Sequence, residues 1–154
     1  YLHNQAAYSS KFRNGYYLTG DMAWQDNDGY YWFVGRSDDV INTAGHLVSP
    51  FEIESALLEL PEIAESAALG IPDELLYEKV VVYICLHQGV EQTPQLALKV
   101  RLHVAKRVAS IATPQEVCFV ERVPKNRSGK IMRRVLRARH LGMPEGDLST
   151  LEDA

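Results

Sequence analysis

The sequence is short of cysteine, of long apolar runs and of net positive charge. Its two cysteines, Cys85 and Cys118, sit in separate strand-like apolar stretches with no Cys-x-x-Cys spacing. That argues against a metal site or a redox role, and reads as two free thiols buried in a core. No run approaches the roughly 20 apolar residues of a membrane span, and the N-terminus lacks the basic-then-apolar build of a signal peptide. A cytoplasmic protein without a membrane partner is therefore expected. The first residue is Tyr1 rather than methionine, which suggests a piece cut from a longer chain. The sequence has no internal repeat, and its formal net charge of -4 argues against a nucleic-acid partner.

What is present suffices for one ordinary domain: 154 residues, of which 46% are apolar, can bury a real core but not two full ones. Residues 16–36 read as aromatic strands around the turn Asp26-Asn27-Asp28-Gly29, and their many aromatic rings have few sequence neighbours to bury against. From Val40 onward strand-like and helix-like segments alternate, which predicts an α+β domain with a short sheet flanked by helices. Ser49-Pro50-Phe51-Glu52 reads as a capping box opening a helix that buries Ile53, Ala56, Leu57 and Leu60. Strands are expected over 64–71 and 79–87, turning at Pro72-Asp73, and over 115–122. A helix should run from Thr93-Pro94 to about Val108. A last helix is expected from about Lys130 to His140, capped by Ser128, followed by a frayed polar tail.

The stretch Pro124-Lys125-Asn126-Arg127-Ser128-Gly129-Lys130-Ile131-Met132-Arg133-Arg134 concentrates cations in an acidic chain. A Walker loop fails, because Pro124 stands where its first glycine belongs. Two readings remain open on the residues alone: a solvated basic helix face, and a lysine presented to a phosphate-bearing substrate. Three further groups draw notice. In Leu18-Thr19-Gly20-Asp21, the aspartate could accept hydrogen bonds from a ribose diol. In Gly35-Arg36-Ser37-Asp38-Asp39, an arginine suited to phosphate precedes a possible hinge. In Asn42-Thr43-Ala44-Gly45-His46, a glycine permits close approach. Each also has a plain structural reading as a turn or linker.

Taken in order, "YLTGD", "GYYWFVGRSDDVINTAGHLVSPFEIESAL" and "PKNRSGKIMRR" closely resemble the C-terminal part of the adenylate-forming enzymes, specifically the acyl-CoA synthetases of the acetyl-CoA synthetase and benzoate-CoA ligase kind. The resemblance spans about Tyr16 to Arg139. It implies that 1–37 ends a large N-terminal AMP-binding domain, 38–39 is a hinge, 40–141 is a mobile C-terminal domain and 142–154 a polar tail. It implies Lys130 as the catalytic lysine, Asp21 and Arg36 as nucleotide-binding residues, Asp38 as the hinge, and Gly45 with His46 at the CoA tunnel. Implied substrates and cofactors are a small carboxylic acid, ATP with Mg2+, and coenzyme A. The N-terminal domain of the same chain is the implied partner. Leu47 departs from the arginine usual after Gly-His in acetyl-CoA synthetases, and "VSPFEIE" is closer to the aryl-acid ligases. An adenylation unit that loads a carrier protein, and a nonenzymatic basic binding module, are the alternatives.

Overall fold

A computed structural model describes residues 2–152 and divides the chain between Asp38 and Asp39 into two compact units. The first holds a short helix α1 (Gln5–Ser9), a ribbon of β1 (Phe12–Arg13) with β2 (Tyr16–Tyr17), and a hairpin of β3 (Asp21–Gln25) with β4 (Tyr31–Arg36). Asp26 builds the hairpin turn: its carboxylate accepts the N–H of Asp28 at 3.0 Å, that of Tyr30 at 2.9 Å and the Trp32 indole at 2.7 Å. Trp24 and Trp32 pair across the strands and stack with centroids 5.8 Å apart. Tyr16 and Tyr17 do not extend this hairpin, contrary to the sequence reading, but pair with Phe12 and Arg13. Gly35 alone is buried among the unit's described residues.

The second unit is the expected α+β domain. In chain order it comprises β5 (Ile41–Thr43), β6 (His46–Val48), α2 (Pro50–Leu57), β7 (Ile63–Asp73), β8 (Tyr77–Leu86), α3 (Pro94–Arg107), a 3-10 turn at Ser110–Ala112, β9 (Glu116–Phe119) and α4 (Arg133–His140). The sheet runs β6-β5-β8-β7, with β9 also paired to β8. β8 and β9 are parallel, the other pairs antiparallel, and a parallel pair needs a crossover, which α3 supplies. Period-2 alternation sorts the sheet's side chains into two buried clusters. Ala68, Val80, Val82 and Ile84 pack with Ile53 and Leu57 of α2 and Val100 and Val104 of α3. Ala67, Leu69, Ile71, Val81 and Tyr83 pack with Leu136 of α4. Full burial of one such Leu or Ile is worth about 1.5–3 kcal/mol over leaving it exposed.

The predicted apolar face of α2 is buried throughout, and Thr93 caps α3 by accepting the Leu96 N–H at 3.1 Å. Five local expectations are corrected. Ser49 precedes α2 in extended geometry but makes no side-chain capping bond, so there is no capping box. The β7–β8 turn lies at 74–76, with Pro72 and Asp73 still in β7, a strand paired to β8 alone, where a missing N–H is tolerated. The last helix begins at Arg133 rather than near Lys130. The described part of the tail, residues 143–152, does not fray: Glu152 donates its N–H to Lys125 at 2.9 Å, and Arg134 bonds the carbonyls of Glu145 and Asp147. Both thiols, expected to be buried, are only half-buried.

Candidate functional site

In the first unit, β3–β4 register sets Asp21 opposite Arg36, so two separate motifs meet. Arg36 Nη1 donates to the Thr19 carbonyl at 3.0 Å and to Asp21 Oδ1 at 3.3 Å, while its Nε reaches Asp38 Oδ1 at 3.1 Å. The bond to Asp38, then that to Asp21, holds the Arg36 pKa above its ordinary value. Gly20 is required here: at φ +83° its missing Cβ would lie 2.7 Å from the Arg36 guanidinium. Asp21, Arg36 and Asp38 thus form one cluster, two exposed carboxylates turned toward a half-buried guanidinium.

Gly45 and His46 occupy the tip of the β5–β6 hairpin, which the sequence reading missed. Thr43 pairs with His46 across a two-residue turn, with Ala44 at φ +48° and Gly45 at φ +81°. This double left-handed geometry is the favoured two-residue hairpin turn, and glycine adopts it without strain. Ala44 through Leu47 are all exposed, and the Ala44 N–H donates to the Leu76 carbonyl at 2.7 Å.

Lys130 lies in a closed loop before α4. Asn126, not Ser128, organises it: Asn126 Oδ1 accepts the Ser128 N–H at 3.1 Å, the Ser128 hydroxyl at 2.8 Å and the Lys130 N–H at 2.8 Å. Gly129 takes φ +78°, and Lys125 bridges to Ile131 below the loop. Capture of these N–H groups by Asn126 removes them from any helix start, which explains the later onset of α4. Lys130 itself is exposed.

A solvated basic helix face would turn Arg133 outward with its basic neighbours; the fold turns it in. Its Nη2 lies 2.6 and 2.7 Å from the two Glu54 carboxylate oxygens, its Nη1 3.4 Å from Asp39 Oδ2, and its Nε donates to the Ala68 carbonyl at 3.2 Å. Glu54 in turn accepts the Ala68 N–H at 2.8 Å. Burial raises the Glu54 pKa despite the pull of Arg133. Other cations of the stretch are likewise engaged: Lys125 with Glu65, Arg134 with the tail, Arg137 with Glu78 and Arg139 with Glu145. From Lys125 to Arg139, only Arg127 and Lys130 carry no side-chain bond or ion pair among the described residues. The apparent basic face is mostly neutralised inside the domain.

A small mixed sheet flanked by helices matches a recognised class of domain. Residues 52–130 match the model of the AMP-binding enzyme C-terminal domain, and the chain belongs to that family. It is 48% identical over 151 residues to an acetyl-coenzyme A synthetase of Bacillus subtilis (strain 168), covering 97% of this chain and 26% of the relative. A 3-hydroxypropionyl-coenzyme A synthetase of Sulfurisphaera tokodaii is 47% identical over 146 residues, covering 95% and 22%. The crystal structure of a Brucella canis acyl-CoA synthetase superposes with a TM-score of 0.67 at 42% identity, over 86% of this chain and 24% of that one. The chain thus spans about a quarter of the length of the curated relatives it matches. Among the described residues, no helix is long and apolar enough to cross a membrane.

Proposed function

We propose that this chain is the C-terminal part of an ATP-dependent acyl-CoA synthetase, which activates a small carboxylic acid as its acyl-adenylate and passes the acyl group to coenzyme A. The observation that carries the reading is Lys130: an exposed, unpaired ammonium in a braced loop, in a stretch whose other cations are mostly spent on internal partners. A nucleic-acid surface would need those cations free, so the basic-module alternative loses its support.

In this reading the acid's carboxylate oxygen attacks the α-phosphorus of ATP and pyrophosphate leaves. Lys130 offers its positive charge to the oxygens where negative charge gathers. Asp21 holds the ribose hydroxyls and Arg36 supports ribose and phosphate, in exchange for part of its present carboxylate contacts. Residues 1–37 end a larger nucleotide-binding domain, Asp38 and Asp39 form the hinge, residues 40–141 move as a body, and 142–154 form its tail. After the turn the Gly45–His46 hairpin tip lines the channel through which the CoA thiol attacks the acyl carbonyl, releasing AMP. Exchange of one face for another lets a single carbonyl meet first the lysine and then the thiol. Magnesium finds no ligand set here: among the described residues the only trio of candidate ligands is Glu116, Cys118 and His140, and thiol and imidazole suit it poorly.

The test uses the full-length enzyme. Lys130→Ala should slow adenylate formation by at least roughly a hundredfold, the scale of losing one preorganised transition-state donor. Thioester formation from supplied acyl-adenylate and CoA should be much less affected, with the two rates measured separately. Equal loss in both steps would make Lys130 a structural residue and remove the proposal's main support.

A further inference from the structure

On the α4 face of the sheet, parallel β8–β9 register sets Cys118 beside Tyr83 and Glu116 beside Val81. Glu116 and Cys118, two residues apart on one strand, point to the same side. The C-terminal residue of α4, His140, comes down onto them. Glu116 Oε2 lies 3.8 Å from His140 Nε2, Cys118 Sγ lies 3.5 Å from Glu116 Oε1, and one ligand atom from each residue falls within 4.8 Å of the others. All three residues are half-buried, shielded yet reachable.

We propose that Glu116, Cys118 and His140 form a binding site for a thiophilic divalent cation, zinc above all. Sulfur, imidazole nitrogen and carboxylate oxygen are zinc's preferred ligands, and three protein ligands leave a fourth, tetrahedral position to water. The surroundings suit a ligating histidine. Tyr83 Oη is 2.8 Å from His140 Nδ1 and can accept its proton, which leaves the Nε2 lone pair facing the cluster. Lys79 lies 2.9 Å from Glu116 Oε2, but a carboxylate has lone pairs enough to serve an ammonium and a cation together. Burial, followed by the charge of Glu116, pushes the Cys118 thiol up to about 11, so the metal-free site holds a protonated thiol. Binding breaks the S–H bond, forms the S–Zn bond and sends one proton to solvent. The metal would tie the end of α4 to β9, on a helix whose first turn carries Arg133 and follows the Lys130 loop. The site is independent of the proposed acyl-CoA chemistry.

The test is titration of the metal-free protein with Zn2+, and with Co2+ as a spectroscopic probe. One equivalent of zinc should bind, release one proton per metal and raise the unfolding temperature. Cobalt should give a near-ultraviolet sulfur-to-metal charge-transfer band. Cys118→Ser should abolish the band, and His140→Gln should weaken zinc at least about tenfold, while Cys85→Ser should leave both unchanged. Tyr83→Phe keeps all three ligands and should still weaken zinc, by about ten- to a hundredfold. Absence of the band in the unaltered protein, or binding indifferent to Cys118→Ser and His140→Gln, would overturn the proposal.

Discussion

Arg133 and Glu54, on separate helices and 79 positions apart in sequence, form a paired contact at 2.6 and 2.7 Å with side chains only 15% and 10% exposed. An ion pair this secluded contributes little net stability over an apolar pair, but breaking it from one side strands a charge.

Arg133→Met should therefore cost about 3–5 kcal/mol in unfolding free energy. Adding Glu54→Leu should restore much of that loss, because the abandoned carboxylate is gone. Denaturant unfolding of the single and double variants measures both. A single-variant loss below about 1 kcal/mol would mean that water already reaches the pair.

Gly45 carries two demands, one of backbone and one of function, which substitutions can separate. A Cβ there would meet nothing within 4 Å, so any stability cost comes from φ +81° alone. Gly45→Leu should destabilise by about 1–2 kcal/mol, whereas Gly45→Asn should keep the turn because Asn tolerates this region. In the full-length enzyme both should slow thioester formation more than adenylate formation. Normal thioester rates with Gly45→Asn would reduce Gly45 to a folding glycine.

Acid should loosen the packing of α3. A hydrogen bond from Arg107, at 2.6 Å, holds the Glu59 carboxyl below its ordinary value of 4.5, with help from His103, and Lys99 does the same for Glu62. Groups depressed on folding stabilise above the unfolded value and lose that contribution as pH falls through the folded one. Glu54 runs oppositely: raised by burial, its contribution is present at low pH and lost as pH rises through its folded value. Thermal stability should fall below pH about 4.5, and Glu59→Gln should flatten that fall. An unchanged acid slope in Glu59→Gln would rule out this linkage.

Strands β7, β8 and β9 and the buried faces of α2 and α3 were legible because a period of 2 or 3.6 is written in the residues themselves. Asn126 was not, since Ser128 has the look of a cap and only the fold reveals that Asn126 has already claimed its N–H. The β5–β6 hairpin escaped because Ala44, at φ +48°, belongs to no turn signature. The inward turn of Arg133 depends on Glu54, and no local pattern spans that separation. The roles of Asp21, Arg36 and Lys130 rested on the order of three motifs. Only the register of β3 with β4 adds that Asp21 and Arg36 are neighbours.

The bonds at Ala68 have a consequence for solubility. Among the described residues β7 pairs with β8 alone, which leaves its other side an open strand edge, the kind that invites a second chain. There the Glu54 carboxylate accepts the Ala68 N–H and the Arg133 guanidinium donates to the Ala68 carbonyl, filling two of the slots that an incoming strand would use. The ion pair guards the edge as a short false strand. Arg133→Met should therefore self-associate at concentrations where it is still folded, and light scattering that stays at the level of the unaltered protein would show the edge to be protected by other means.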